Sequence, residues 1–64
     1  MGAKAEINGI EHDIACGVTI ADAVRSLGLA PDTFIFMKDG RPVPMDTTIA
    51  DGFFIKAVKV ASGG

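Results

Sequence analysis

The stretch FFIKAVKV, residues 53–60, decides how this chain folds. Its β-branched and aromatic residues suit a strand, whose side chains alternate between two faces. One face carries Phe53, Ile55, Ala57 and Lys59; the other carries Phe54, Lys56, Val58 and Val60. Apolar residues on both sides predict a strand in the middle of a sheet, with one face on the core and a second adhesive surface. The rest of the chain must leave a central slot for it.

Two hairpins leave such a slot. Residues 3–15 place AKAEI and IEHDIA on either side of Asn8-Gly9, the pair best suited to the positive φ angles of a type I′ turn. A two-residue turn sets Ile7 against Ile10, Ala5 against His12 and Ala3 against Ile14, on a face expected to meet the core. The opposite face sets Lys4 against Asp13 and Glu6 against Glu11. The second hairpin joins TFIFM (33–37) to RPVP (41–44) through Asp39-Gly40. Pro42 and Pro44 cannot donate to a ladder, so RPVP is predicted to be a short edge strand, blunted against further pairing.

Between the hairpins, TIADAVRSLG (19–28) reads as a helix. Thr19 is placed to cap it, with Asp22 three residues on as in a capping box. Ile20, Ala23, Val24 and Leu27 form one apolar stripe. Gly28 provides a left-handed stop, and Pro31 forbids early resumption. Asp46 is expected to cap a brief helical turn over TTIA (47–50), and Asp51-Gly52 to turn the chain again.

The order hairpin, helix, hairpin, strand predicts an α+β fold. It has a mixed sheet of four to five strands, with the helix packed across one face. Right-handed crossover favours laying the last strand beside the first, parallel to it and between the hairpins. That is the β-grasp arrangement of ubiquitin, although another small α+β topology fits the same string of elements. The expected organisation is one domain over residues 1–60 and a flexible tail, residues 61–64, ending in Gly-Gly.

Composition narrows the function. A chain of 64 residues buries only about 60% of its unfolded surface and has little room for a catalytic cleft. A carrier, modifier or binding module is therefore expected rather than an enzyme. The net charge is −2, and the basic residues Lys4, Arg25, Lys38, Arg41, Lys56 and Lys59 are scattered, unlike the basic stripe of a direct nucleic-acid binder. No apolar run approaches the ~20 residues that span a bilayer. MGAKAEINGI lacks a signal core, and Glu6 stands where N-myristoylation after Gly2 wants Ser or Thr. The single cysteine excludes an internal disulfide and favours a cytoplasmic setting. Cys16 and His12, near Glu11 and Asp13, lack a second ligand pair, so no metal site is expected. Cys16 reads as a small core hydrophobe. The lysines are solubilising charges.

The chain resembles the ubiquitin-like sulfur carriers of the ThiS and MoaD type, and more closely the small archaeal modifier proteins. The features that carry the resemblance are the Asn8-Gly9 hairpin, the helix TIADAVRSLG, KDGRPVP (38–44) with the following DTTI (46–49), the Asp51-Gly52 turn, and Gly63-Gly64. Phe53 departs from it, because many relatives carry an acidic or polar residue there. The resemblance implies that an E1-like enzyme adenylates the carboxylate of Gly64 and that sulfur then replaces AMP to give a thiocarboxylate. ATP and a sulfur donor are used by that partner enzyme, and no cofactor is bound permanently. The sulfur would pass to a downstream acceptor enzyme in thiamin, molybdopterin or tRNA thiolation. The alternative is conjugation of Gly64 to lysines of target proteins, and a third reading is a non-covalent docking module.

The tail's composition suits such chemistry. Without Cβ atoms, Gly63 and Gly64 can enter a narrow channel in another protein's active site. Val60, Ala61 and Ser62 continue the run of small residues, and five extended residues reach about 17 Å. A chain ending on Gly64 is expected to need no processing protease. In a β-grasp fold Val58 and Val60 would lie near Ile35 and Met37, forming an apolar patch close to the tail for a partner to grip.

Overall fold

The turns set the sheet. In the computed structural model, which describes residues 2–60, Asn8 and Gly9 have φ of 54° and 78°, and Asp39 and Gly40 have 54° and 77°. Positive φ at both central residues is the type I′ geometry whose twist matches paired strands. The first turn joins β1 (Ala3–Ile7) to β2 (Ile10–Ile14). The second joins β3 (Phe34–Lys38) to β4 (Arg41–Val43). The first hairpin has the expected register, from Ala3 opposite Ile14 to Ile7 opposite Ile10.

The last strand, β5 (Phe54–Lys59), takes the central slot. The sheet order is β2-β1-β5-β3-β4, with β5 parallel to β1 and antiparallel to β3. The single α-helix among the described residues, α1 (Ile20–Ser26), supplies Ile20, Ala23 and Val24 to the core. With them are buried Ala3, Ala5 and Ile7 of β1, Phe36 of β3, and Ile55 and Ala57 of β5. The fold is the β-grasp α+β arrangement.

The helix ends as its sequence requires. Thr19 accepts the Asp22 amide at 3.1 Å. The return half of a capping box is absent among the described side-chain bonds, because Asp22 Oδ1 instead accepts from Arg25 at 3.1 Å. At the other end, Gly28 donates to Arg25 O and Leu29 donates to Val24 O. These are the paired bonds of a Schellman stop. Pro31 then opens a short 3₁₀ turn, Pro31–Thr33, that the sequence had not suggested.

Two expectations need correction. Alternation along β2 puts Ile10 on the core face, yet it is 60% exposed. It lies beside the turn on an edge strand, at a corner of the sheet where only β1 flanks it. The second concerns TTIA, which forms no helical turn capped by Asp46. The chain instead turns from Pro44 to Thr47, and Thr48 bridges Thr19. The amides of Ile20 and Ala21 donate to Thr47 O at 3.0 Å and Met45 O at 2.9 Å. Ile49 is pinned by its amide to Val18 O and by its carbonyl to the Gly17 amide, both at 2.8 Å, and is 1% exposed. The β4–β5 connection thus caps α1 from outside, satisfying amides that a helix start leaves without partners.

Candidate docking face and tail root

Alternation along β5 turns Ile55 and Ala57 inward and Phe54, Lys56 and Val58 outward. Phe54 and Val58 remain 46% and 44% exposed. Across the ladder, Val58 lies opposite Ile35 of β3, itself 47% exposed, and Lys56 lies opposite Met37. Met37, Phe54, Lys56 and Val58, with Asp39 and Gly40 of the β3–β4 turn, line a depression of about 460 Å³. Large side chains exposed side by side on the face away from the helix are the kind of surface that marks an interaction site.

Three of the four residues expected in the patch, Ile35, Met37 and Val58, are brought together here. Val60 lies just past β5, half-buried, and its amide donates to Thr33 O at 3.0 Å. It is the root from which the remaining chain departs. Phe54 is a member that sequence reasoning passed over, although the alternation that selects Val58 selects it too. The wall formed by Asp39 and Gly40 had no such signal, since it depends on the register of β5 against β3, which sets Lys56 opposite Met37. Ser62, Gly63 and Gly64, and with them the whole 61–64 segment, lie outside the described residues.

Phe53 is accounted for by its surroundings. It is half-buried against the core, and the Lys38 ammonium sits 4.6 Å from its ring centroid. Lys38 also reaches Asp39 at 2.9 Å. The apolar ring thus has both a packing role and a cation partner.

On the first hairpin, Lys4 and Asp13 meet at 2.8 Å in an exposed pair. Their hydrogen bond first, and charge attraction second, raises the Lys4 ammonium and lowers the Asp13 carboxyl from their ordinary values. His12 is half-buried opposite Ala5, and Cys16 is half-buried beside the core. Among the described residues, no three His, Cys, Asp or Glu side chains gather as a metal site, and no helix is long and apolar enough to cross a membrane. Asp46 and Asp51 are exposed turn residues.

Comparison with known proteins agrees with this architecture. The family model for small archaeal modifier protein 2 matches residues 1–60. An uncharacterized protein of Archaeoglobus fulgidus is 42% identical over 61 residues, covering 95% of this chain and 78% of the relative. The match spans both hairpins, the helix and the central strand with its exposed groove, and on that ground the chain belongs to the small archaeal modifier protein 2 family of ubiquitin-like small modifiers and sulfur carriers.

Proposed function

We propose that the carboxylate of Gly64 is the reacting group and that an E1-like enzyme activates it while holding the outer face of β5 and β3. A carboxylate resists nucleophiles because it is anionic and lacks a good leaving group. Its oxygen would attack the α-phosphorus of ATP and expel pyrophosphate, giving an acyl adenylate whose AMP can leave. A hydrosulfide-level sulfur from the donor then displaces AMP and leaves a thiocarboxylate for transfer to a downstream acceptor. The chain supplies the substrate carboxylate, while positioning and charge stabilisation come from the partner's pocket.

The observation that carries this reading is the pairing of an exposed apolar groove with the tail root. Val58 lines the groove, and Val60, two residues on, is tied to Thr33 immediately before the Ala61-Ser62-Gly63-Gly64 sequence. A second reading, supported by the modifier description of the family, is that a lysine amine of a target protein displaces AMP instead. That step forms an isopeptide bond from the same activated intermediate.

Intact-mass measurement after incubation with ATP, a sulfide donor and an adenylating enzyme from the same source tests the carrier reading. The expected result is replacement of one oxygen by sulfur at Gly64. Conjugation leaves a different mark: trypsin cutting after Lys59 would leave VASGG on the modified lysine. Removing Gly63 and Gly64 is expected to abolish both reactions without altering the unfolding curve. Full cellular function of the truncated chain would overturn the proposal in favour of a non-covalent docking module.

A further inference from the structure

The two edges of the sheet are finished differently. In a hairpin with a two-residue type I′ turn, the residues flanking the turn form a hydrogen-bonded pair, and such pairs recur at every second position. On β2, Ile10, His12 and Ile14 therefore bond to β1, while the N–H and C=O of Glu11 and Asp13 point away from the sheet. Among the described residues, no backbone bond outside the ladders uses either one. On β4 the same geometry makes Arg41 and Val43 the bonded positions, opposite Lys38 and Phe36, and leaves Pro42 facing out. Proline has no N–H to offer. One edge is closed by its sequence, and the other presents outward donors and acceptors.

Charge selects what can use the open edge. Glu6 and Glu11 face each other on the outer surface of the first hairpin, an unfavourable like-charge pair. The ion pairs among the described residues join Lys4 to Asp13, Arg25 to Asp22 and Lys38 to Asp39, and none of them uses Glu6 or Glu11. A second copy of this chain is a poor occupant. Antiparallel pairing about His12 would set Glu11 against Asp13 of the other copy, and pairing about Glu11 or Asp13 would set like residues against each other. On the opposite surface the edge offers Ile10, 60% exposed, and half-buried His12.

We infer that the outward edge of β2 accepts an extended segment of a partner protein in which basic residues alternate with apolar ones. The segment adds a sixth strand. Its basic residues stand beside Glu11 and Asp13 and relieve the Glu6–Glu11 repulsion, and its apolar residues cover Ile10 and His12. Since β1 separates β2 from β5, the site is distinct from the groove on β5 and independent of the chemistry at Gly64.

The test uses the full chain, labelled for amide NMR, and a short capped peptide alternating lysine and valine. The expected result is a shift of the Glu11 and Asp13 amides, with exchange at both slowed about tenfold or more at saturation. Glu11→Pro removes an outward N–H at an edge position where proline is tolerated and is expected to weaken binding about tenfold, the worth of one net hydrogen bond. Glu11→Gln keeps the backbone donor and is expected to weaken binding only a few-fold, with a shallower salt dependence. A glutamate–valine peptide is expected not to bind. The inference is overturned if peptide binding leaves the Glu11 and Asp13 amides unprotected, or if folded Glu11→Pro binds as well as the parent. Protection of these amides in the free protein, accompanied by dimers in sedimentation, would also overturn it, because a second copy would then be the occupant.

Discussion

Replacing Ile49 with alanine is expected to destabilise the domain severely, although Ile49 belongs to no strand or helix. The residue is 1% exposed and sits in the same core as Ile20, Ile55 and Val24. Truncation to alanine removes three side-chain carbons, about 2.4 kcal/mol at ~0.8 kcal/mol each. A cavity term adds to this because the surroundings relax only partly, so the total is about 3–4 kcal/mol. A 64-residue domain at roughly 0.05–0.15 kcal/mol per residue has only about 3–10 kcal/mol in all. The midpoint of thermal unfolding is therefore expected to fall by about 12 °C or more, at ~4–8 °C per kcal/mol.

The chain has no tryptophan or tyrosine, so far-UV circular dichroism under urea and heat is the appropriate probe. Ile10→Ala is the internal control. It makes the same chemical change at a site 60% exposed, where the loss is expected to stay within about 0.5 kcal/mol. If Ile10→Ala cost as much as Ile49→Ala, or if Ile49→Ala were nearly neutral, the placement of the β4–β5 connection beneath the helix start would be wrong.

Phe54→Ala with Val58→Ala is expected to leave the fold in place. It should raise the carrier concentration needed for enzyme-dependent pyrophosphate exchange by about tenfold or more, as truncation of interface anchors does; unchanged exchange would remove the outer face from the site. Thr19→Ala is expected to cost about 1 kcal/mol in urea unfolding by orphaning the Asp22 amide, with Thr19→Ser restoring most of it. For Asp13, a lowered folded-state value means that its contribution to stability is present above the unfolded-state value and lost as pH falls through the folded one. Asp13→Asn should therefore lower the midpoint slightly at neutral pH, with the difference from the parent vanishing as pH falls below the ordinary carboxylate range. The raised Lys4 works in the opposite sense, its contribution being lost only as pH rises through its folded-state value.

What could be read without coordinates was whatever is encoded locally or by alternation. Asn8-Gly9 and Asp39-Gly40 state their turn type in two residues, and each turn fixes the register of its hairpin. Phe54 to Lys59 states its central position because both of its faces carry apolar side chains. Ile10 misled because alternation reports which side of a strand a residue occupies, not whether the sheet extends far enough to cover it. The stretch after Asp46 misled for a different reason. A polar cap before Thr-Thr-Ile looks the same whether it starts a helix or precedes an extended segment. What decides it is the set of unsatisfied amides at Ile20 and Ala21, far away in sequence and visible only once the chain has folded. Parity with Val58 places Phe54 on the patch from sequence alone, whereas the Asp39-Gly40 wall depends on the β3–β5 register, Met37 opposite Lys56, which alternation does not encode.

The position of β5 links the groove to the chemistry proposed for Gly64. β5 is flanked by β1 on one side and β3 on the other, and the Val60 amide extends the second ladder to Thr33. β1 pairs with β5 only as far as Ala57, so from Val58 onward the strand is held by β3 alone, and the Val60–Thr33 bond is what ties the root of the 61–64 segment to the sheet beside Val58. Four residues span at most about 14 Å. An enzyme that takes Gly64 into a pocket must therefore bring its own surface close to the end of β5. Val58 and Ile35 form the part of the apolar face nearest that end, and binding there would convert capture of the terminus into an intramolecular step at high effective concentration. Under the proposed chemistry the groove and the glycines would act as one device, because only a partner fitted to the sheet at Val58 could reach a carboxylate four residues beyond Val60.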